Sequence, residues 1–118
     1  MGLENWQEQL RRGGLELAIL LSVQAAPRYG LDVIRYLEAE TDLVVTEGTV
    51  YPILARLTRD GVLAAEWVTD EGVHPRKYYR LTPDGESLLL AMVAHWQAFT
   101  EKIGRLVEAA RRRGDEAH

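Results

Sequence analysis

The chain has 118 residues, 47% hydrophobic and 27% charged, with a formal net charge of −4 and no cysteine. That is the length of one domain and too apolar for a disordered chain. The lack of thiols excludes disulfides, thiolate metal sites and cysteine nucleophiles, and it suits a reducing cytoplasm. The longest apolar cluster, Leu17 to Val23, is broken by Ser22 and falls short of the ~18 residues a membrane span needs. Met1-Gly2-Leu3-Glu4 lacks the basic region and apolar stretch of a secretory signal.

The first predicted element is a helix from Leu3 to Ala26. Leu3, Trp6, Leu10, Gly13, Leu17, Leu20 and Gln24 fall on one stripe at steps of three and four. Gly13-Gly14 is either a break in this helix or a place where another helix comes close, since each glycine costs a helix about 1 kcal/mol relative to alanine. Pro27 ends the element and Arg28-Tyr29-Gly30 reads as a turn. A second helix follows from Leu31 to Glu40, with Leu31, Ile34, Leu37 and Tyr36 inward and Asp32, Arg35 and Glu38 outward.

The third helix is expected to start near Thr49, because Pro52 is tolerated only close to a helix start; Glu47 and Gly48 would form a looser first turn, with Thr46 or Thr49 as cap. Val50, Ile53, Leu54, Leu57 and Gly61 make its buried stripe. The opposite face holds Gly48, Pro52, Ala55, Arg56 and Arg59, flanked by Thr49 and Tyr51. Two alternating strands come next, Leu63 to Thr69 and Arg76 to Leu81. The turn-rich Asp70-Glu71-Gly72-Val73-His74-Pro75 between them makes a β-hairpin with an extended tip.

Thr82-Pro83-Asp84 opens the last helix with a hydroxyl cap, a proline at the first position and an acid in the first turn. It should run to about Arg113. Leu89, Met92, Trp96, Phe99, Ile103, Leu106 and Ala110 step 3, 4, 3, 4, 3, 4, the spacing of an apolar seam.

Helix, helix, helix, hairpin and long helix in that order give a mainly α fold with a small β-hairpin (α+β): a winged helix-turn-helix with a long C-terminal dimerisation helix. The expected divisions are residues 1–82 for the winged helix-turn-helix, whose N-terminal helix also touches the dimer, 83–113 for the dimerisation helix, and 114–118 for a disordered tail. At ~1.5 Å per residue the last helix is ~45 Å long, against a diameter of roughly 35 Å for a compact domain of this size. A second copy of the chain would cover the overshoot, in an interface built on Leu89, Met92, Trp96, Phe99, Ile103 and Leu106. The alternative is that the helix folds back on the first helix of its own chain, and the two are compatible.

The net acidity speaks against an indiscriminate nucleic-acid binder, but the charge is segregated. Residues 32–47 carry five acids against Arg35 alone, whereas residues 72–80 carry Arg76, Lys77 and Arg80 with no acid. A local patch decides whether a phosphate backbone can dock. A dimer would place two third helices in successive major grooves of a near-palindromic DNA site. Thr46, Gly48 and Thr49 at the helix start could hold a phosphate, Arg56 and Arg59 could reach backbone or guanine edges, and Arg76 and Lys77 could add contacts from the hairpin.

Several stretches resemble the PadR family of bacterial transcriptional regulators: Gly48-Thr49-Val50-Tyr51-Pro52-Ile53-Leu54-Ala55-Arg56-Leu57, Asp60-Gly61-Val62-Leu63, Arg76-Lys77-Tyr78-Tyr79-Arg80-Leu81-Thr82, and Gly85. Arg11-Arg12-Gly13 and Tyr29-Gly30 match the N-terminal pattern, so the likeness spans about residues 8–108. The resemblance implies a dimeric winged-helix repressor of the short subfamily with a single C-terminal helix. It implies that Gly48, Thr49 and Tyr51, with Pro52 among them, lie on the recognition helix and that the Arg-Lys-Tyr-Tyr strand forms one side of the wing. It further implies a small aromatic effector in a pore at the dimer centre. Trp96 would stack on it, surrounded by Leu89, Val93, Thr100 and Ile103 of the last helix and Gln9, Arg12, Leu15 and Glu16 of the first. Arg12 and Glu16 depart from the mostly neutral groups of multidrug binders and point to a ligand bearing charge or hydroxyls.

His74, His95 and His118 are too scattered for a metal site or a triad, and no phosphate loop follows a strand. No enzyme activity, cofactor or metal is expected. The competing reading is a winged-helix protein-interaction module without DNA binding, whose third helix would expose apolar side chains.

Overall fold

In a computed structural model, which describes residues 2–69 and 74–116, four helices and three short strands follow in the order α1 (Leu3–Ala25), β1 (Arg28–Tyr29), α2 (Gly30–Thr41), α3 (Glu47–Arg59), β2 (Leu63–Val68), β3 (Arg76–Leu81) and α4 (Pro83–Glu116). The core sits where α1, α2 and α3 meet the hairpin. Ile19, Leu20, Val33, Leu37, Leu54 and Leu57 are fully enclosed there, and Leu63, Tyr79 and Leu89 close it from the strands and α4. The mainly α winged-helix expectation is met, with differences at particular elements.

Arg28-Tyr29 is not a free turn. It pairs antiparallel with β3, Arg28 opposite Tyr79 and Tyr29 opposite Tyr78, so the sheet order is β1-β3-β2. Two residues carry too little alternation to announce a strand; the waiting edge of β3 makes it one. On α2, Leu31 turns outward and Val33 takes the core position instead. In α1 the two glycines do not break the helix, which is continuous for 23 residues.

α3 begins earlier than Pro52 suggested. Its first residue is Glu47, after an extended Thr46 whose carbonyl accepts from the Thr49 and Val50 N–H groups at 3.1 and 3.0 Å. Pro52 therefore stands in the second turn, on the exposed face. Its missing N–H leaves the carbonyl of Gly48, itself exposed, without the usual helix hydrogen bond and open to solvent. At the far end, Gly61 adopts φ 78°. The Val62 N–H reaches the Leu57 carbonyl at 2.9 Å and the Gly61 N–H that of Thr58 at 3.2 Å, a Schellman closure that needs a residue able to take the left-handed conformation.

Thr82 joins that corner to α4. Its hydroxyl donates to the Gly61 carbonyl at 2.6 Å and accepts from the Gly85 N–H at 2.9 Å, which caps α4 as expected. α4 extends one turn past Arg113, to Glu116; the last two residues of the expected tail lie outside the described residues. Its 34 residues span about 51 Å, and the molecule measures 67 × 29 × 22 Å with a radius of gyration of 18.0 Å, against about 13.5 Å for a compact domain of this length. The start of α4 does fold back on α1: Leu89 is buried, and the Trp96 ring lies over Gly14. Beyond it Phe99 and Leu106 are 61% and 66% exposed, as are Leu3 and Trp6 on α1 at 67% and 57%.

Candidate nucleic-acid interface

The outward face of α3 is built from small and polar side chains because its apolar residues recur at helical spacing on the other side. Gly48, Thr49, Pro52, Ala55 and Arg59 are all exposed there. At its start, the Thr46 and Thr49 hydroxyls lie 3.2 Å apart and neither caps the helix. The N–H groups of Glu47 and Gly48 have no partner among the described residues and point out of the positive end of the helix, the arrangement that takes an anion. An open cleft of about 380 Å³ beside it is lined by Glu8, Arg11, Arg12 and Leu15 of α1 together with Thr46 and Thr49.

Arg56 differs from its expected state. It lies on the flank of α3 that meets α1, with its guanidinium 3.2 Å from the Glu16 carboxylate and 3.9 Å from Asp60. Two carboxylates around one guanidinium leave a net negative charge, which weakens its pull on a phosphate. Arg59, a turn on, has no ion pair among the described residues. On the opposite flank, Tyr51 packs its ring against Gly30, where a Cβ would meet the Tyr51 Cζ at 2.5 Å. The bare Gly30 leaves room for that ring, and a Cβ there would push the Tyr51 side chain aside. Burial pushes the Tyr79 hydroxyl above its ordinary pKa of 10.0, with Tyr51 adding to the effect, so it stays a neutral part of this corner.

The wing carries Arg76 and Lys77 on β3. The Arg76 guanidinium lies 4.5 Å from the centroid of the Tyr29 ring, and Tyr29 meets Tyr78 edge-on at 5.5 Å. Lys77 faces Trp67 across the hairpin, 6.0 Å from its ring and 5.9 Å from that of Tyr79. Tyr51, Arg76 and Lys77 thus share one groove of about 520 Å³ between α3 and the wing, along with Tyr29, Arg35 and Trp67. These last three were not singled out from sequence. The signal available was Arg35, the lone base in an acidic stretch, but only the β1–β3 pairing brings it to the wing. The expected hairpin tip from Asp70 to Val73 lies outside the described residues.

The residues implied for an effector pore are dispersed over the α1–α4 face. Leu15 and Leu89 are core, Val93 packs beside it, and Trp96 is 40% exposed above Gly14. Ile103 and Gln9 are open, and the Thr100 hydroxyl turns back to the Trp96 carbonyl at 2.9 Å. Arg12 pairs with Glu8 at 3.3 Å, and Glu16 is held by Arg56.

The profile of the "Transcriptional regulator PadR-like family" matches residues 19–91. This chain belongs to the PadR-like family. A PadR-like transcription factor from Bacteroides fragilis is similar in structure with a TM-score of 0.71 at 42% identity, covering 86% of this chain and 98% of that one. A PadR family transcriptional regulator from Eggerthella lenta gives 0.79 at 34% identity over 89% and 91% of the two chains. An uncharacterized protein of Lysinibacillus sphaericus is 32% identical over 101 residues, 82% of this chain and 91% of its own. This PadR-like protein is accordingly a transcriptional regulator, a DNA-binding class rather than an enzyme class. Among its described residues no helix is long and apolar enough to cross a membrane.

Proposed function

We propose that this PadR-like regulator is a repressor that binds a near-palindromic operator as a homodimer, with one α3 in each of two successive major grooves and the wings on the flanking backbone. The observation that carries this reading is the apolar seam left open on α4 and α1, from Phe99 to Leu106 and from Leu3 to Leu10. A second copy related by a two-fold axis covers both stretches at once, and two-fold symmetry in the protein demands it in the site. Thr46 at the N-cap and Gly48, Thr49, Tyr51, Pro52 and Arg59 of α3 are the residues offered to the DNA, with Arg76 and Lys77 on the wing. Arg56 joins them only when it leaves Glu16. The outer face of α3 exposes no large aliphatic side chain, which disfavours the reading as a protein-docking module. A flat aromatic effector would lie against Trp96 at the dimer centre, and Arg12 and Glu16 on the neighbouring face of α1 suit one bearing charge or hydroxyls.

Selection from a pool of random duplexes tests this function. It should enrich a two-fold symmetric sequence whose affinity falls steeply with salt, as release of counterions from several phosphates requires. Arg76→Ala with Lys77→Ala should weaken binding to all sequences alike and flatten the salt slope by about 0.9 for each phosphate that is no longer neutralised. No enrichment and a flat salt response would defeat the reading.

A further inference from the structure

We propose that Arg35 and Arg76, gathered by Tyr29, form a clamp for a DNA phosphate, so that one strand of the duplex lies in the groove between α3 and the wing. The inference rests on the DNA-binding reading and adds to it residues of α2 and β1 that contact or order the backbone. Its starting point is a charge anomaly. In a chain of net charge −4, the groove of about 520 Å³ is lined by Arg35, Arg76 and Lys77 and, among the described residues, by no carboxylate. Two acids stand three residues from Arg35: Asp32 is engaged at 3.4 Å by Arg28, whose guanidinium lies 3.9 Å over the Tyr36 ring, and Glu38 does not line the groove.

Tyr29 is what brings two cations together. Its hydroxyl accepts from the Arg35 Nη1 at 3.4 Å, while the Arg76 guanidinium lies 4.5 Å from its ring centroid. The ring is itself pinned by the pairing of Tyr29 with Tyr78, so the first turn of α2 is tied to the wing. Two guanidiniums on one side chain repel each other unless an anion lies between them, and a phosphodiester offers two oxygens to two planar forks. The position fits. With α3 in a major groove, the strand bordering that groove passes between the helix and the wing, along the groove that Tyr51 and Arg76 both line. Trp67, 67% exposed on a strand that lies at the solvent edge, then packs against the sugar of the same strand. That explains why a large aromatic ring stands uncovered on the wing.

The test is fluorescence anisotropy of the full chain on its selected operator over a series of salt concentrations. Arg35→Gln should weaken binding about tenfold and reduce the salt slope by about 1.8, because each of the two protomers on the operator gives up one phosphate. Arg35→Lys should keep the slope and lose affinity, since it retains the charge without the fork. Tyr29→Phe is the positioning variant: it should weaken the wild type but have no further effect on Arg35→Gln. Arg35 is exposed, so unaltered thermal melts should accompany these changes. A wild type that binds its operator while Arg35→Gln keeps both affinity and slope overturns the clamp alone. A wild type with no affinity for any duplex overturns the DNA-binding reading, and the clamp with it.

Discussion

At the scale of single residues, the corner where the wing meets α4 shows how little space decides a fold. Gly85 lies in the first turn of α4, buried against the Val62 carbonyl, and a Cβ there would drive into that backbone oxygen. The obstacle is main chain, fixed by the Thr82 N–H at 3.1 Å, so it cannot swing aside as a side chain would. Gly85→Ala should therefore destabilise the protein by about 1–3 kcal/mol despite alanine's better helix propensity, measured as a lower urea midpoint with unchanged slope. Thr82 as cap was legible from Thr-Pro-Asp alone. The fate of Arg56 was not. Helical periodicity puts it on the outward half of α3, but whether that flank meets water or α1 depends on how two helices cross, and here the crossing brings Glu16 to it.

At the scale of elements, strong repeats were readable and weak ones were not. Seven apolar positions at heptad spacing announced α4, and alternation announced both long strands. The two residues of β1 have no pattern of their own, and their hydrogen bonds belong to β3. The interchange of Leu31 and Val33 on α2 has the same origin: a short helix has two plausible apolar faces, and the packing of α1 and α3 selects one. On α4, Trp96 marks a change of environment. The helix is covered by α1 before it and bare after it, and the ring itself lies over Gly14, where a larger side chain on α1 would crowd it. Trp96→Ala should leave operator binding largely intact and abolish quenching of tryptophan fluorescence by planar aromatic compounds. Quenching that survives the substitution would move the effector site elsewhere.

At the scale of the whole molecule, the shape itself poses a question that the single chain does not answer. A body 67 Å long and 22 Å thick has too much surface for its core, and the excess is apolar. The exposed rings and aliphatic chains of Phe99, Leu106, Leu3 and Trp6 lie on two helices that meet at Gly14 and Trp96, and in the proposed dimer a second copy would cover them. Phe99→Asp should break that association. Sedimentation should then report a monomer or an unfolded chain, and operator binding should disappear with the pairing of the two α3 helices. A stable monomer that still grips the whole operator would contradict the dimer.

Local chemistry, carried in the order of residues, determined the helices with their caps, the hairpin and the family to which the chain belongs, because each rests on groups a few positions apart. What joins distant segments was decided only by tertiary packing: the strand at Arg28-Tyr29, the tether between Arg56 and Glu16, and the gathering of Arg35 with the wing. The physical reason is that periodicity states which side of an element is apolar but not which neighbour it meets, and charges and hydrogen bonds act on the neighbour.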